Sequence, residues 1–133
     1  MRLWHQLLIP HLSRPHLLGQ HRECCALRGG SWNKPHRIVN YVFRHSPYKL
    51  FLYHQLIMDE MQNRGYKVDE NWKNPLFRGY ATEPWTEKQG IDLSILADNP
   101  NEMIYKEHDK YYLEECIENL KGKGYSIEGF NEP

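Results

Sequence analysis

The sequence predicts an all-α protein: a compact single domain of three main helices with long, aromatic-rich connecting loops. Three observations lead there. Segments 14–28 and 47–64 each carry a helix start and a helix stop; the second adds an apolar stripe at helical spacing; and a third helix, over 107–122, runs into Gly122 and Gly124.

The elements follow in chain order. Residues 1–12 are apolar and aromatic, but Pro10 excludes a continuous helix there. Ser13 is a capping residue and Pro15 fits a first turn, so a helix spans 14–28 and stops at Gly29-Gly30. Ser31-Trp32-Asn33-Lys34-Pro35 connects it to a short apolar element around 37–44. Ser46 followed by Pro47 opens the next helix, which ends at Arg64 with Gly65 in the place of a left-handed cap. Leu50, Tyr53, Ile57, Met58 and Met61 form its buried stripe.

Residues 67–100 contain Pro75, Gly79, Pro84, Gly90 and Pro100 and read as loop with short elements. Trp72, Phe77, Tyr80 and Trp85 make this stretch too aromatic for a disordered linker. Core packing is the favoured role for these rings; stacking on bases is the other. Met58, Met61, Gly65, Tyr66 and Val68 correspond, 59 positions later, to Ile117, Leu120, Gly124, Tyr125 and Ile127. Two helices sharing one stop signal explain this better than duplication does.

At 133 residues the chain can hold one core, so 1–133 is read as a single domain. Cys24, Cys25 and Cys116 form no even disulfide framework, which predicts a reduced, cytoplasmic protein. The longest apolar run near the start, Leu7-Leu8-Ile9, is too short for a signal-peptide core, and nothing approaches a membrane span. A soluble monomer is expected.

The formal net charge of zero conceals two opposite halves. Residues 1–57 hold eight Lys/Arg, one acidic residue (Glu23) and seven of the eight histidines; residues 58–133 hold nine Lys/Arg against sixteen Asp/Glu. The basic half suits a phosphate backbone, or else the two halves attract each other within the fold.

Glu23 stands out in that basic half. On a helix its neighbours at three and four positions are Gly19, Gln20, Ala26 and Leu27, none of them cationic. Gly19 inside a helix costs about 1 kcal/mol relative to alanine and so calls for a reason. Gly19 and Ala26 leave room on both sides of the acid, which suits contact with a ligand; the other reading is a structural glutamate paired at long range with Arg2 or Arg37.

His16-Leu17 followed by Arg22-Glu23 resembles the catalytic helix of the pyrimidine-dimer DNA glycosylase/AP lyases, the phage endonuclease V class and its bacterial relatives. The start is similar too, a free amine followed by an arginine, here Met1-Arg2. Phe43-Arg44-His45-Ser46-Pro47 and the ending Arg64-Gly65-Tyr66 extend the likeness across roughly 1–66, and leave 67–133 as a loop-rich acidic half. The resemblance implies a mechanism. The N-terminal α-amine attacks C1′ of a deoxyribose, displaces the damaged base and forms a Schiff base, and β-elimination then cuts the strand. It implies Met1 as nucleophile, Glu23 as the proton-shuttling acid, and Arg2, Arg22 and His16 as contacts to lesion or phosphate. Ala26 stands where the family has a second arginine, with Arg28 as its substitute; acidic Glu114, Glu115 and Glu118 replace an aromatic, basic tail. The implied partner is double-stranded DNA with a damaged or abasic site, without cofactor or metal.

The chemistry of the residues agrees. An α-amine titrates near ~7.7–8.0 against ~10.4 for lysine, so it supplies a neutral nucleophile near physiological pH. A large second residue such as Arg2 opposes removal of Met1. Other signals are weaker. His11, His16 and His21 recur every five residues and walk around a helix, which predicts no zinc site; Cys24 and Cys25 read as packing residues; Gly29-Gly30 lacks the following residues of a phosphate loop. A non-catalytic nucleic-acid-binding or protein-interaction module on the same scaffold remains the alternative function.

Overall fold

The computed structural model describes residues 2–30, 40–97 and 103–125, Asn40 by its backbone alone. Met1, the Ser31–Pro35 connection, Arg37 and Ile127 lie outside the described residues. Among the described residues every regular element is helical.

Helix α1 spans Arg14–Arg28. The Ser13 hydroxyl accepts from the His16 amide at 3.4 Å, Pro15 sits in the first turn, and Gly30 leaves the helix at φ 67°. Helix α2 spans Pro47–Asn63, with the Ser46 hydroxyl accepting from the Tyr48 amide at 3.2 Å. All five residues of its expected stripe are buried, and it packs against α1. Gly65 turns the chain at φ 84°, so that the Tyr66 amide reaches back to the Met61 carbonyl at 2.9 Å.

The same ending closes the last helix, where the Tyr125 amide bonds the Leu120 carbonyl at 3.0 Å. That helix, α4, spans Lys110–Gly122 and begins three residues later than expected from the sequence. Asp109 takes the cap, its carboxylate accepting from the Tyr112 amide at 2.9 Å. The residues before it bend inward and bury Ile104, Tyr105 and His108.

The aromatic-rich loop carries a helix that the sequence reading leaves as loop: α3, Glu87–Leu96. Thr86 and Gln89 form a reciprocal capping box, at 3.2 Å and 2.8 Å. At Gly90 the helix passes close to Leu76, whose flexible side chain would have to move aside for a Cβ. The loop's rings divide. Trp72 is buried, Phe77 and Trp85 are half-buried, and Tyr80 is exposed.

The beginning of the chain forms no helix until a 3-10 turn at Gln6–His11, which contains Pro10. Side chains from the other elements satisfy its backbone. The Leu3 carbonyl accepts from the Tyr112 hydroxyl, the Trp4 carbonyl from the Tyr53 hydroxyl at 2.6 Å, and the Gln6 amide donates to His108 Nδ1 at 3.0 Å. One core cluster therefore joins Leu3 and Leu8 to Leu17, Tyr53, Ile57 and Leu120.

Burial strongly opposes protonation of two core histidines, pushing His54 down to about 2 and His108 to about 3. Unfolded, both regain the ordinary value near 6.5, so below it the unfolded chain binds more protons than the folded one. Stability is then intact above about pH 6.5 and falls as pH drops toward 3, by about 1.4 kcal/mol per pH unit for each histidine. Urea unfolding midpoints measured from pH 7.5 down to 4.5 are expected to fall steeply; a flat profile would contradict this.

Candidate active site

The first turns of α1 and the last turns of α4 face each other across a cleft of about 370 Å³, lined by Arg2, Trp4, Pro15, His16, Gly19, Gln20, Glu23, Asn119 and Lys123. Glu23 lies along the α1 face that also carries His16, Gly19 and Gln20, positions separated by helical spacing. Its carboxylate accepts from Gln20 Nε2 at 2.8 Å. Among the described residues no lysine or arginine comes within ion-pair distance of it. Arg2, one of the two partners a structural glutamate could take, is therefore not paired to it.

Burial raises the proton affinity of Glu23 above that of an ordinary glutamate, and the nearby positive charges of Arg22 and Lys123 pull against this. His16 is held neutral, its pKa lowered by burial and then by Lys123. The Ser13 hydroxyl lies 2.7 Å from His16 Nδ1, and the imidazole meets the Trp4 and Tyr125 rings edge-on at 5.4 and 4.5 Å. The Arg2 guanidinium and the Lys123 ammonium both lie 5.6 Å from the centre of the Trp4 ring. The result is a half-buried acid beneath a rim of cations, an arrangement able to hold an anion above a proton acceptor.

Of the site residues expected from the sequence, the structure brings Arg2, His16 and Glu23 into one cleft, with Arg22 beside it. Met1 is outside the described residues, but Arg2 is one peptide bond away. Arg28 is a correction. Its guanidinium is buried and bonds the carbonyls of Trp72 at 2.7 Å, Asn74 at 2.8 Å and Phe77 at 2.9 Å, between the Phe51 and Trp72 rings. With His54 Nδ1 as a fourth acceptor at 3.0 Å, both terminal nitrogens are fully engaged, so this guanidinium clamps the loop to α1 instead of facing phosphate. Sequence reasoning missed Gln20, Asn119 and Lys123. The last two lie about a hundred residues from Glu23, and no local spacing could have joined them to it.

A second cluster has the residue types of a metal site: ligand atoms of His21, Cys25 and His54 lie within 4.8 Å of one another. Its hydrogen bonds describe something else. Arg28 can only donate, so His54 Nδ1 accepts from it at 3.0 Å, and His54 Nε2, carrying the proton, donates to His21 Nδ1 at 2.8 Å. Both nitrogens of His54 are thereby engaged. Burial also pushes the Cys25 thiol up to about 11, so it stays protonated at neutral pH.

Fold and cleft together define a small helical protein with an acid set among cations. Residues 1–74 match the family described as pyrimidine dimer DNA glycosylase, and the chain belongs to that family. Membership implies damaged DNA as the substrate. No curated protein and no solved structure gives a match. The matched region ends within the turn after Lys73, so α3 and α4 lie beyond it.

Two substitutions separate structure from function here. Arg28→Ala is expected to destabilise the fold by about 3 kcal/mol, because the buried Trp72 carbonyl and the partly buried Asn74 and Phe77 carbonyls lose a charged donor, while DNA affinity measured well below the melting temperature stays unchanged. A thermally neutral variant, or one that fails only in DNA binding, would restore Arg28 to the interface. At Gly19 a Cβ would meet only the Arg22 guanidinium, at 3.7 Å. Gly19→Ala should therefore raise stability, by about 0.5–1 kcal/mol, yet lower activity by narrowing the cleft; unchanged activity would mean that substrate does not enter there.

Proposed function

We propose that this protein is a DNA glycosylase/AP lyase whose nucleophile is the α-amine of Met1 and whose proton-transfer group is Glu23. The observation that carries this reading is the position of Glu23: half-buried, free of an ion pair among the described residues, and in one cleft with Arg2, the residue next to the proposed amine.

The amine attacks C1′ of the lesion nucleotide and the glycosidic bond breaks, the base leaving with the bonding pair. Opening of the C1′–O4′ bond gives the imine, with the proton lost from nitrogen passing by way of Glu23 to O4′. Removal of a C2′ proton then expels the 3′ phosphate, and water releases the amine. A carboxylate with raised proton affinity suits both giving and taking a proton near neutral pH. Arg2, Arg22 and Lys123 are the phosphate contacts in this reading, and His16 is a neutral wall of the site. The target nucleotide must leave the base stack to reach the cleft, at a cost of a few kcal/mol. The reading treats 1–133 as one domain, in which α4 completes a cleft begun by α1.

Borohydride added to untagged protein with abasic or dimer-containing duplex should trap a covalent adduct mapping to Met1, and an N-terminal fusion should not trap. Absence of an adduct on every lesion, with DNA binding retained, would favour a non-catalytic binding module. Glu23→Gln should abolish strand cleavage while leaving DNA affinity within a few-fold. Because the carboxyl's proton affinity is raised in the folded state, stability falls as pH rises from the ordinary value of 4.5 through the folded one, and the amide escapes that loss. Glu23→Gln should therefore melt no lower than wild type at pH 7. The acid limb of wild-type activity should lie above pH 4.5, the ordinary glutamate value. Equal loss of binding and cleavage in Glu23→Gln would make Glu23 structural.

A further inference from the structure

We propose that Gln20 is a positioning residue for this reaction, its side-chain amide holding the start of the chain against the Glu23 carboxylate; the inference rests on the roles proposed above for Met1 and Glu23. Gln20 is only 1% exposed, in the middle of α1. Its Oε1 accepts from the Trp4 amide at 2.6 Å and from the Tyr53 hydroxyl at 2.9 Å. Its Nε2 donates to the Arg2 carbonyl at 3.0 Å and to Glu23 Oε2 at 2.8 Å. Both amide donors are engaged, and the oxygen accepts from the Trp4 N–H and shares the one Tyr53 proton with the Trp4 carbonyl.

That pattern fixes the amide's orientation without ambiguity. Turned over, its NH₂ would face the Trp4 N–H and its oxygen would face the Arg2 carbonyl and a carboxylate, so all of these contacts would become repulsive. It also fixes the residue type. A glutamate would offer only acceptors, a lysine only donors, and neither can serve a backbone N–H and a backbone C=O at once. Behind it the Tyr53 hydroxyl, wholly buried on α2, points its single proton between the Trp4 carbonyl at 2.6 Å and Gln20 Oε1 at 2.9 Å. The rigid pair α1–α2 thus reaches the first residues of the chain through one amide group. Two distances in series, from Arg2 to Gln20 and from Gln20 to Glu23, set where the Arg2 carbonyl stands relative to the acid.

The amide does two things for the proposed reaction. It limits the positions the terminal amine can take, and a misplacement of about 1 Å in such a geometry can cost 10²-fold in rate. It also donates a hydrogen bond to the carboxylate, which favours the ionised form against the burial that opposes it.

Gln20→Glu tests this. The side chain keeps its size and its acceptor for Trp4 and Tyr53, but when ionised it offers no donor to Arg2 or Glu23. The readouts are the single-turnover rate of borohydride trapping on abasic duplex, the Kd for the same duplex, and the pH profile of trapping. A rate lower by about 10- to 100-fold, a Kd within about twofold, and an acid limb moved to higher pH by the added negative charge are expected. Wild-type rate with an unmoved limb would overturn the inference, as would equal losses in rate and affinity. Failure of wild-type protein to trap would remove the Met1 reading and this one with it, whereas a trapping wild type beside an unimpaired Gln20→Glu removes only this one. Should Gln20→Glu not fold, wild-type NMR decides: the Gln20 side-chain NH₂ signals should exchange slowly and shift with the titration of Glu23. Signals that ignore that titration would overturn the proposal.

Discussion

An extended segment in a helical protein has no neighbouring strand to pair with, and residues 2–6 meet this constraint with side chains. Gln20 from α1 takes the Arg2 carbonyl and the Trp4 amide, Tyr53 from α2 the Trp4 carbonyl, Tyr112 from α4 the Leu3 carbonyl, and His108 the Gln6 amide. Each donor or acceptor left unpaired in such a place would cost about 1–3 kcal/mol. The start of the chain is thereby the common partner of elements that are remote in sequence. This accounts for the polar rings buried beside it: Tyr53, His108 and His5 bond backbone groups of residues 4–7, and Tyr41 in turn bonds His108. It also explains why α4, remote in sequence from α1, ends beside it.

The same arrangement changes how the charge asymmetry is understood. Of the eight cations in the basic half, Arg2 and Arg22 stand at the cleft, but Arg28 is a buried clamp, Lys49 is buried, and Arg14 lies over the Tyr66 ring at 5.0 Å. Counting positive residues therefore overstates the surface available to phosphate. Attraction between the halves does not replace it as an explanation. Among the described residues His45–Glu107 is the ion pair that crosses between them, while Arg64–Glu60, Lys73–Glu70 and Lys121–Glu118 are local pairs inside the acidic half. Such local surface pairs contribute little to stability. Lys123, from the acidic half, is what completes the cationic rim.

What was legible in the sequence was the local part. Ser13, Pro15 and Gly30 bound α1 because capping and left-handed turns depend on residues within a few positions of one another. The repeated Gly-Tyr endings proved to be one hydrogen-bonded stop used twice, at Met61–Tyr66 and Leu120–Tyr125. α3 stayed hidden because Gly90, read alone, looks like loop, and its close neighbour Leu76 lies fourteen positions earlier, although Thr86 and Gln89 spelled out a capping box. Glu23 could be singled out by what its helix neighbours lack. Gln20 could not, since its four partners come from the chain's start, from α2 and from its own helix, and only the folded molecule brings them together. Arg28 misled for the same reason: three carbonyls more than forty residues away decide what it does.

The family match and the cleft do not have the same extent, and that difference is informative. Arg2, His16, Gly19, Gln20 and Glu23 all fall within residues 1–74, whereas Asn119 and Lys123 fall outside. The groups nearest the acid belong to the matched part; those across the cleft from it belong to α4. Charge at a cleft mouth acts on both the acid's ionisation and the approach of an anion, so a change confined to α4 can retune either while the acid's own helix stays the same. Asn119 is a different case. Its Oδ1 is buried without a hydrogen-bond partner, an acceptor in the wall of the cleft whose desolvation nothing among the described residues offsets. That oxygen is closed off from solvent, so it bears on how α4 packs and not on an occupant of the cleft. Lys123, at the mouth, is the α4 group whose charge reaches both the acid and an approaching anion.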